Sequence, residues 1–118
     1  MDVTAHILEM LGQLGYNAGN PQVARALDYI FAEQEADGPW FGRWGVNYIY
    51  GTGAALPALK SLGIDMTMKP VLKAARWLID HQNADGGWGE SCASYADPRY
   101  RGRGPSTCLL YTSPNPRD

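Results

Sequence analysis

Asp2 and His6 stand four residues apart at the start of "DVTAHILEMLGQLG", a stretch whose apolar residues recur at helical spacing. Four residues place both side chains on one helix face, where a carboxylate can pair with an imidazole. Such a pair could belong to a proton-transfer network, because charge beside a carboxylic acid sets its proton-donating strength. It could equally be an ordinary ion pair, and a histidine at the edge of an apolar face also suits a helix core. A second stretch, "DGPWFGRWGVNYIYGTG" at 37–53, carries five aromatics (Trp40, Phe41, Trp44, Tyr48, Tyr50) and five glycines in seventeen positions. Ring faces attract positive charge, yet an aromatic beside a glycine also packs simply as a turn residue. Cys92 and Cys108 have no metal-ligand spacing, so neither a metal site nor a disulfide scaffold is expected.

The totals narrow the field. With 118 residues, 45% hydrophobic and 19% charged, the chain fits one globular domain or a piece of one. A net charge of −2 with no Lys/Arg run gives no electrostatic case for nucleic acid. No apolar run is long enough to span a bilayer, and the start shows no signal-peptide pattern. A reducing, cytosol-facing location is the default expectation.

The elements that must position these residues come from an internal repeat. Shifted by 48, "ALDYIFAEQEADGPW" (26–40) falls on "AARWLIDHQNADGGW" (74–88), and "LGQLGY" (11–16) on "LKSLGI" (59–64). Each unit reads as helix, Gly-containing turn, helix, then a Q-x-A-D-G-x-W loop. Val3, Ile7, Leu11 and Leu14 form one stripe, predicting a helix over 3–15 with Gly15 as its C-cap. Pro21 suits the first turn of the second helix, with Val23, Leu27, Ile30, Phe31 and Gln34 on one face. The third helix is expected from about 53 to 62, burying Leu56, Leu59 and Leu62, with Pro57 weakening it or shifting its start. Val71, Ala75, Leu78, Ile79 and Gln82 mark the fourth. No strands are expected. Stacked helix pairs at this period predict an all-α solenoid or its closed form, an α/α barrel, of which two units make a partial slice.

The Q-x-A-D-G-x-W sequence, occurring twice, resembles the QW motif of triterpene cyclases, and "WFGRWGVNYIYGTGA" resembles the squalene–hopene cyclases in particular. Oxidosqualene cyclases share "WGV" and "YGT" but carry a cysteine-containing segment where this chain has "DVTAH", so His6 favours the squalene–hopene branch. The resemblance implies an enzyme of two α/α barrels, an isomerase that cyclises squalene by protonating a terminal double bond from a D-x-D-D motif. That motif lies upstream in the family and is absent from this sequence. By the resemblance, His6 matches the histidine that hydrogen-bonds the proton-donating aspartate, and Asp2 a carboxylate of the same network. Tyr50 matches a tyrosine on the reprotonation route, and Trp44 a substrate-binding tryptophan of the cavity wall. A wall of rings suits a carbocation, since ring faces stabilise charge without a reactive lone pair. Gln34, Gly38, Trp40, Gln82, Gly86 and Trp88 match the structural motif, whose tryptophan stacks on its glutamine and ties helices together. No cofactor is implied. The complete enzyme would act as a monotopic protein on the cytoplasmic face of the membrane.

The resemblance runs from about Asp2 to Thr107, so residues 1–107 are expected to be an internal, inactive piece of a cyclase. The tail "CLLYTSPNPRD" (108–118) breaks the pattern and resembles a translated sequencing adaptor. Two other readings stand beside the cyclase. A non-catalytic helical-repeat binding module would use the rings only for packing. A protein prenyltransferase β-subunit would need zinc ligands, and Cys92 has no suitably placed histidine after it. Cys92 reads as a plain loop thiol, and His81 as a solvent-facing residue without a role.

Overall fold

The computed structural model of the protein describes residues 1–43 and 45–106. Trp44 and the tail at 108–118, for which a cavity role and an adaptor origin are expected, lie outside the described residues. Four α-helices follow in order: α1 (Asp2–Gln13), α2 (Pro21–Glu33), α3 (Tyr48–Ser61) and α4 (Lys69–Asp80). Two short 3-10 turns, Cys92–Tyr95 and Pro98–Tyr100, close the described chain. There is no β-sheet among the described residues.

The 48-residue repeat recurs in the bonds of its turns and loops. Just past α1 stands Gly15 (φ 99°), with Tyr16 N–H donating to Leu11 O at 3.0 Å, and just past α3 stands Gly63 (φ 76°), with Ile64 N–H donating to Leu59 O at 3.1 Å. Each glycine takes the left-handed residue of a Schellman turn, a conformation that costs glycine nothing. In the two QW loops, the Gln34 amide donates to Gly38 O (2.8 Å) and the Gln82 amide to Gly86 O (2.6 Å). The Trp40 indole donates to Ile30 O and the Trp88 indole to Leu78 O, both at 2.7 Å. The tryptophan thus satisfies a carbonyl of the preceding helix and the glutamine one of its own loop. Gln34 also donates to Pro70 O in the first turn of α4, 36 residues away, at 2.8 Å. That bond fastens the first loop to the second unit.

The core joins Ala5 and Leu8 of α1, Val23, Leu27 and Ile30 of α2, Ala54, Ala55, Ala58 and Leu59 of α3, and Val71 and Ala74 of α4 around Trp40. Small residues let α1 and α3 come close: a Cβ on Gly12 would overlap Ser61, whose hydroxyl donates to Glu9 O at 3.0 Å.

Three expectations are corrected. The Val3–Ile7–Leu14 stripe of α1 is exposed, and the buried face is Asp2, Ala5 and Leu8 instead. In α4 the buried face is Val71, Ala74 and Trp77, leaving Ile79 exposed. α3 begins at Tyr48, five residues before the expected start, and Pro57 lies inside it. Pro57 and Gly53, the residue whose carbonyl loses its partner at Pro57, are both exposed, so the missing bond falls on the solvent side.

Candidate active site

His6 and Tyr50, 44 residues apart, meet directly: His6 Nε2 and the Tyr50 hydroxyl are 3.0 Å apart. Their rings are tilted at 57° with centroids 6.1 Å apart. His6 is exposed on α1 and Tyr50 half-buried in the first turn of α3. The α1–α3 contact therefore brings two of the expected site residues into one hydrogen bond.

Asp2 lies on the same helix but does not bond His6 in the expected i, i+4 manner. It is 2% exposed, and its Oδ2 accepts the Arg43 backbone N–H at 2.9 Å while Oδ1 accepts the Val3 N–H at 3.1 Å. An acidic residue in a first helical turn also meets the positive end of the helix dipole. The carboxylate is thus held toward the 41–43 segment, where Asp2, Glu33, Glu35, Phe41 and Arg43 line a cleft of about 250 Å³. Three carboxylates and Arg43 there face Met1 and Phe41, so the recess is of mixed polarity.

The glycines of the ring-rich stretch explain how Tyr50 is held. A Cβ on Gly42 would stand 2.8 Å from Asn47 O and from Tyr50 Cδ1, and one on Gly45 would overlap the Tyr50 ring. One on Gly51 would overlap Trp40 O. Bare backbone therefore lies flat against the tyrosine and against the helix that carries it. Gly53, in the same stretch, has open space around its Cβ position. Opposite effects follow. Gly45→Ala should destabilise the fold by about 1–3 kcal/mol through overpacking. Gly53→Ala, at an exposed helical site, should stabilise it by about 0.5–1 kcal/mol. Thermal unfolding of both variants checks the two signs.

The described rings of the stretch face different neighbours. Trp40 is fully buried in the core. Phe41 makes edge contacts with Tyr48 (5.7 Å) and Tyr95 (5.8 Å), and the Tyr95 hydroxyl donates to Gly45 O at 2.8 Å. Tyr48 lies under the Arg101 guanidinium, 4.3 Å from its centroid, and Arg101 also pairs with Glu35 at 3.2 Å. Burial pushes the Tyr48 phenol up from its ordinary pKa, with Arg101 opposing. Large rings pack first against one another, so among the described rings of the stretch Tyr50 alone meets His6.

Sequence reading missed Glu90. Its Oε1 accepts the backbone N–H of Asn47 (3.2 Å) and of Ile49 (2.9 Å), the opening turn of α3. The repeat gave no signal for it, because under the 48-residue shift Glu90 falls on Gly42, which has no side chain. His81 is likewise not simply solvent-facing: it stacks on Trp77 with centroids 4.2 Å apart, and its Nδ1 lies 2.7 Å from Trp77 O. Cys92 is exposed.

A family model described as the squalene–hopene cyclase C-terminal domain matches residues 1–112. The chain is 56% identical over 106 residues to the squalene–hopene cyclase of Alicyclobacillus acidocaldarius, covering 90% of this chain and 17% of that protein. It is 50% identical over 96 residues to the squalene–hopene cyclase of Zymomonas mobilis, covering 81% and 15%. A dammaradiene synthase of Dryopteris crassirhizoma is 42% identical over 121 residues, covering 87% and 18%. The chain thus spans less than a fifth of the length of these relatives.

Proposed function

This chain belongs to the squalene–hopene cyclase C-terminal domain family, and from that premise we propose that it forms part of the acid site and cavity wall of a squalene cyclase. The reaction is an acid-initiated polycyclisation of squalene to hopene- or hopanol-type products. The observation that supports it most is the hydrogen bond between His6 and Tyr50.

Protonating an alkene requires a strong acid, and an acid is strengthened by whatever stabilises its conjugate base. The donor is an aspartate outside this segment. When the His6 ring is protonated, both nitrogens donate. Nε2–H donates to the Tyr50 oxygen, which fixes the ring plane and leaves Nδ1–H for the donor's carboxylate. As the proton leaves for the alkene, that bond becomes charge-assisted and strengthens. Tyr50, half-buried and in contact with Nε2, would relay a proton from solvent through the imidazole to the spent acid, taking up a proton from water as it gives its own to the ring. Asp2 serves the same network from its buried position and holds the backbone at Arg43. Trp44 guides the cation along the wall. The complete enzyme takes its substrate from the membrane, although no helix among the described residues is long and apolar enough to cross one.

The test uses a full-length enzyme carrying this segment, made by grafting residues 1–106 in place of the matching stretch of a full-length relative. Tyr50→Phe should lower kcat about tenfold and leave the product profile intact. Trp44→Ala should instead release prematurely terminated or altered polycycles alongside slower turnover. Chromatography of the products separates the two. A wild-type rate for Tyr50→Phe together with a wild-type product profile for Trp44→Ala would leave the binding-module reading in possession.

A further inference from the structure

We propose that Glu90 is a positioning residue for Tyr50, capping α3 from outside the helix and thereby fixing the hydroxyl that meets His6. The inference rests on the acid-network reading above and adds to it a residue from a distant loop.

An α-helix begins with backbone N–H groups that have no partner within the helix. Asparagine is among the best residues for satisfying them with its own side chain, and Asn47 occupies the N-cap of α3. It does not cap. Its side-chain amide is fully buried and donates to Ser94 Oγ at 3.3 Å. The capping falls to Glu90, whose single oxygen Oε1 accepts from both Asn47 and Ile49. A carboxylate at a helix N-terminus is also favoured by the dipole.

Tyr50 follows Ile49 directly, so the amide that Glu90 grips is one residue from the ring. The other sides of that ring are closed by Gly42 and Gly45, whose Cβ positions would run into it. The same stretch is tied from below, because Gly42 N–H donates to Asn47 O at 2.9 Å. Loosening the cap would let the first turn of α3 fray and carry the Tyr50 hydroxyl away from the His6 nitrogen. The remaining Glu90 oxygen, Oε2, is buried without a hydrogen bond among the described residues. A buried carboxylate half-satisfied in this way is a costly arrangement for a plain structural cap. The repeat itself supplies a bare glycine at the equivalent position, Gly42.

The experiment is a double-mutant cycle between Glu90→Ala and Tyr50→Phe in the full-length grafted enzyme, measuring kcat and KM separately. Glu90→Ala should lower kcat about tenfold with KM changed less than about twofold. In the Tyr50→Phe background the same change should cost less than about twofold, since its route to the chemistry has gone. Glu90→Gln, which keeps the accepting oxygen, should restore at least about half of the wild-type kcat. If Glu90→Ala does not fold, Glu90→Asp carries the same cycle, its shorter side chain being unable to reach both amides. Equal losses in both backgrounds, or no loss in the first, would overturn the proposal. If Tyr50→Phe and His6→Ala are slow while Glu90→Ala is not, this inference alone has failed. If all three turn over at the wild-type rate, the acid-network reading has failed and takes this inference with it.

Discussion

Replacing His6 by alanine in the full-length enzyme should lower kcat by about ten- to a hundredfold and leave KM nearly unchanged. A hydrogen bond to a charged group contributes roughly 1.5–3 kcal/mol, and each 1.36 kcal/mol is a factor of ten in rate. The bond from His6 to the donor's carboxylate gains strength only as the proton departs, so its loss belongs to the transition state rather than to substrate binding. The hydrogen bond to Tyr50 (3.0 Å) presents the ring at a fixed angle, so the contact needs no reorganisation during the reaction. Steady-state rates with squalene check this. A wild-type kcat for His6→Ala would return the residue to an ordinary exposed histidine of α1.

Trp40→Ala should be the most damaging substitution for stability. The indole is fully buried at the centre of the core, and its N–H donates to Ile30 O at 2.7 Å. Truncating a buried tryptophan costs about 3–5 kcal/mol, and the Ile30 carbonyl would lose its partner as well. Total domain stabilities are only about 5–15 kcal/mol, so the variant should be close to unfolded in water. Trp88→Ala provides the control. Its indole makes the same 2.7 Å bond, to Leu78 O, but the ring is only half-buried. Urea unfolding of the two variants should therefore show the larger loss at Trp40. Equal losses would mean that the shared hydrogen bond, and not burial, dominates the motif.

Most of the architecture was legible because the repeat carries it. Gly15 and Gly63, Gly38 and Gly86, and the two Gln/Trp pairs recur at the same spacing and make the same bonds. The faces of α1 and α4 were harder to read. Periodicity reports which residues share a face, not which face is covered, and on α1 the covered face is the one holding Asp2, Ala5 and Leu8. The start of α3 was misread because glycine and proline weaken a helix locally, while its actual start is set by a side chain 43 residues away. His6 and Asp2 were found through "DVTAH", and the bond from His6 to Tyr50 depends on α1 packing against α3, which no local pattern encodes. Glu90 was passed over for the same reason, since its role exists only where the second loop folds back on the first.

The bond from Gln34 to Pro70 has a consequence for how such a chain is made. A loop that closes on its own helix can set as soon as it emerges from the ribosome. This one needs an acceptor 36 residues further along. At roughly 5–20 residues per second, synthesis leaves the first loop without that partner for about 2 to 7 s. The first unit would therefore lock only after the start of α4 has been made, and the nascent chain would carry an unfinished loop through that interval.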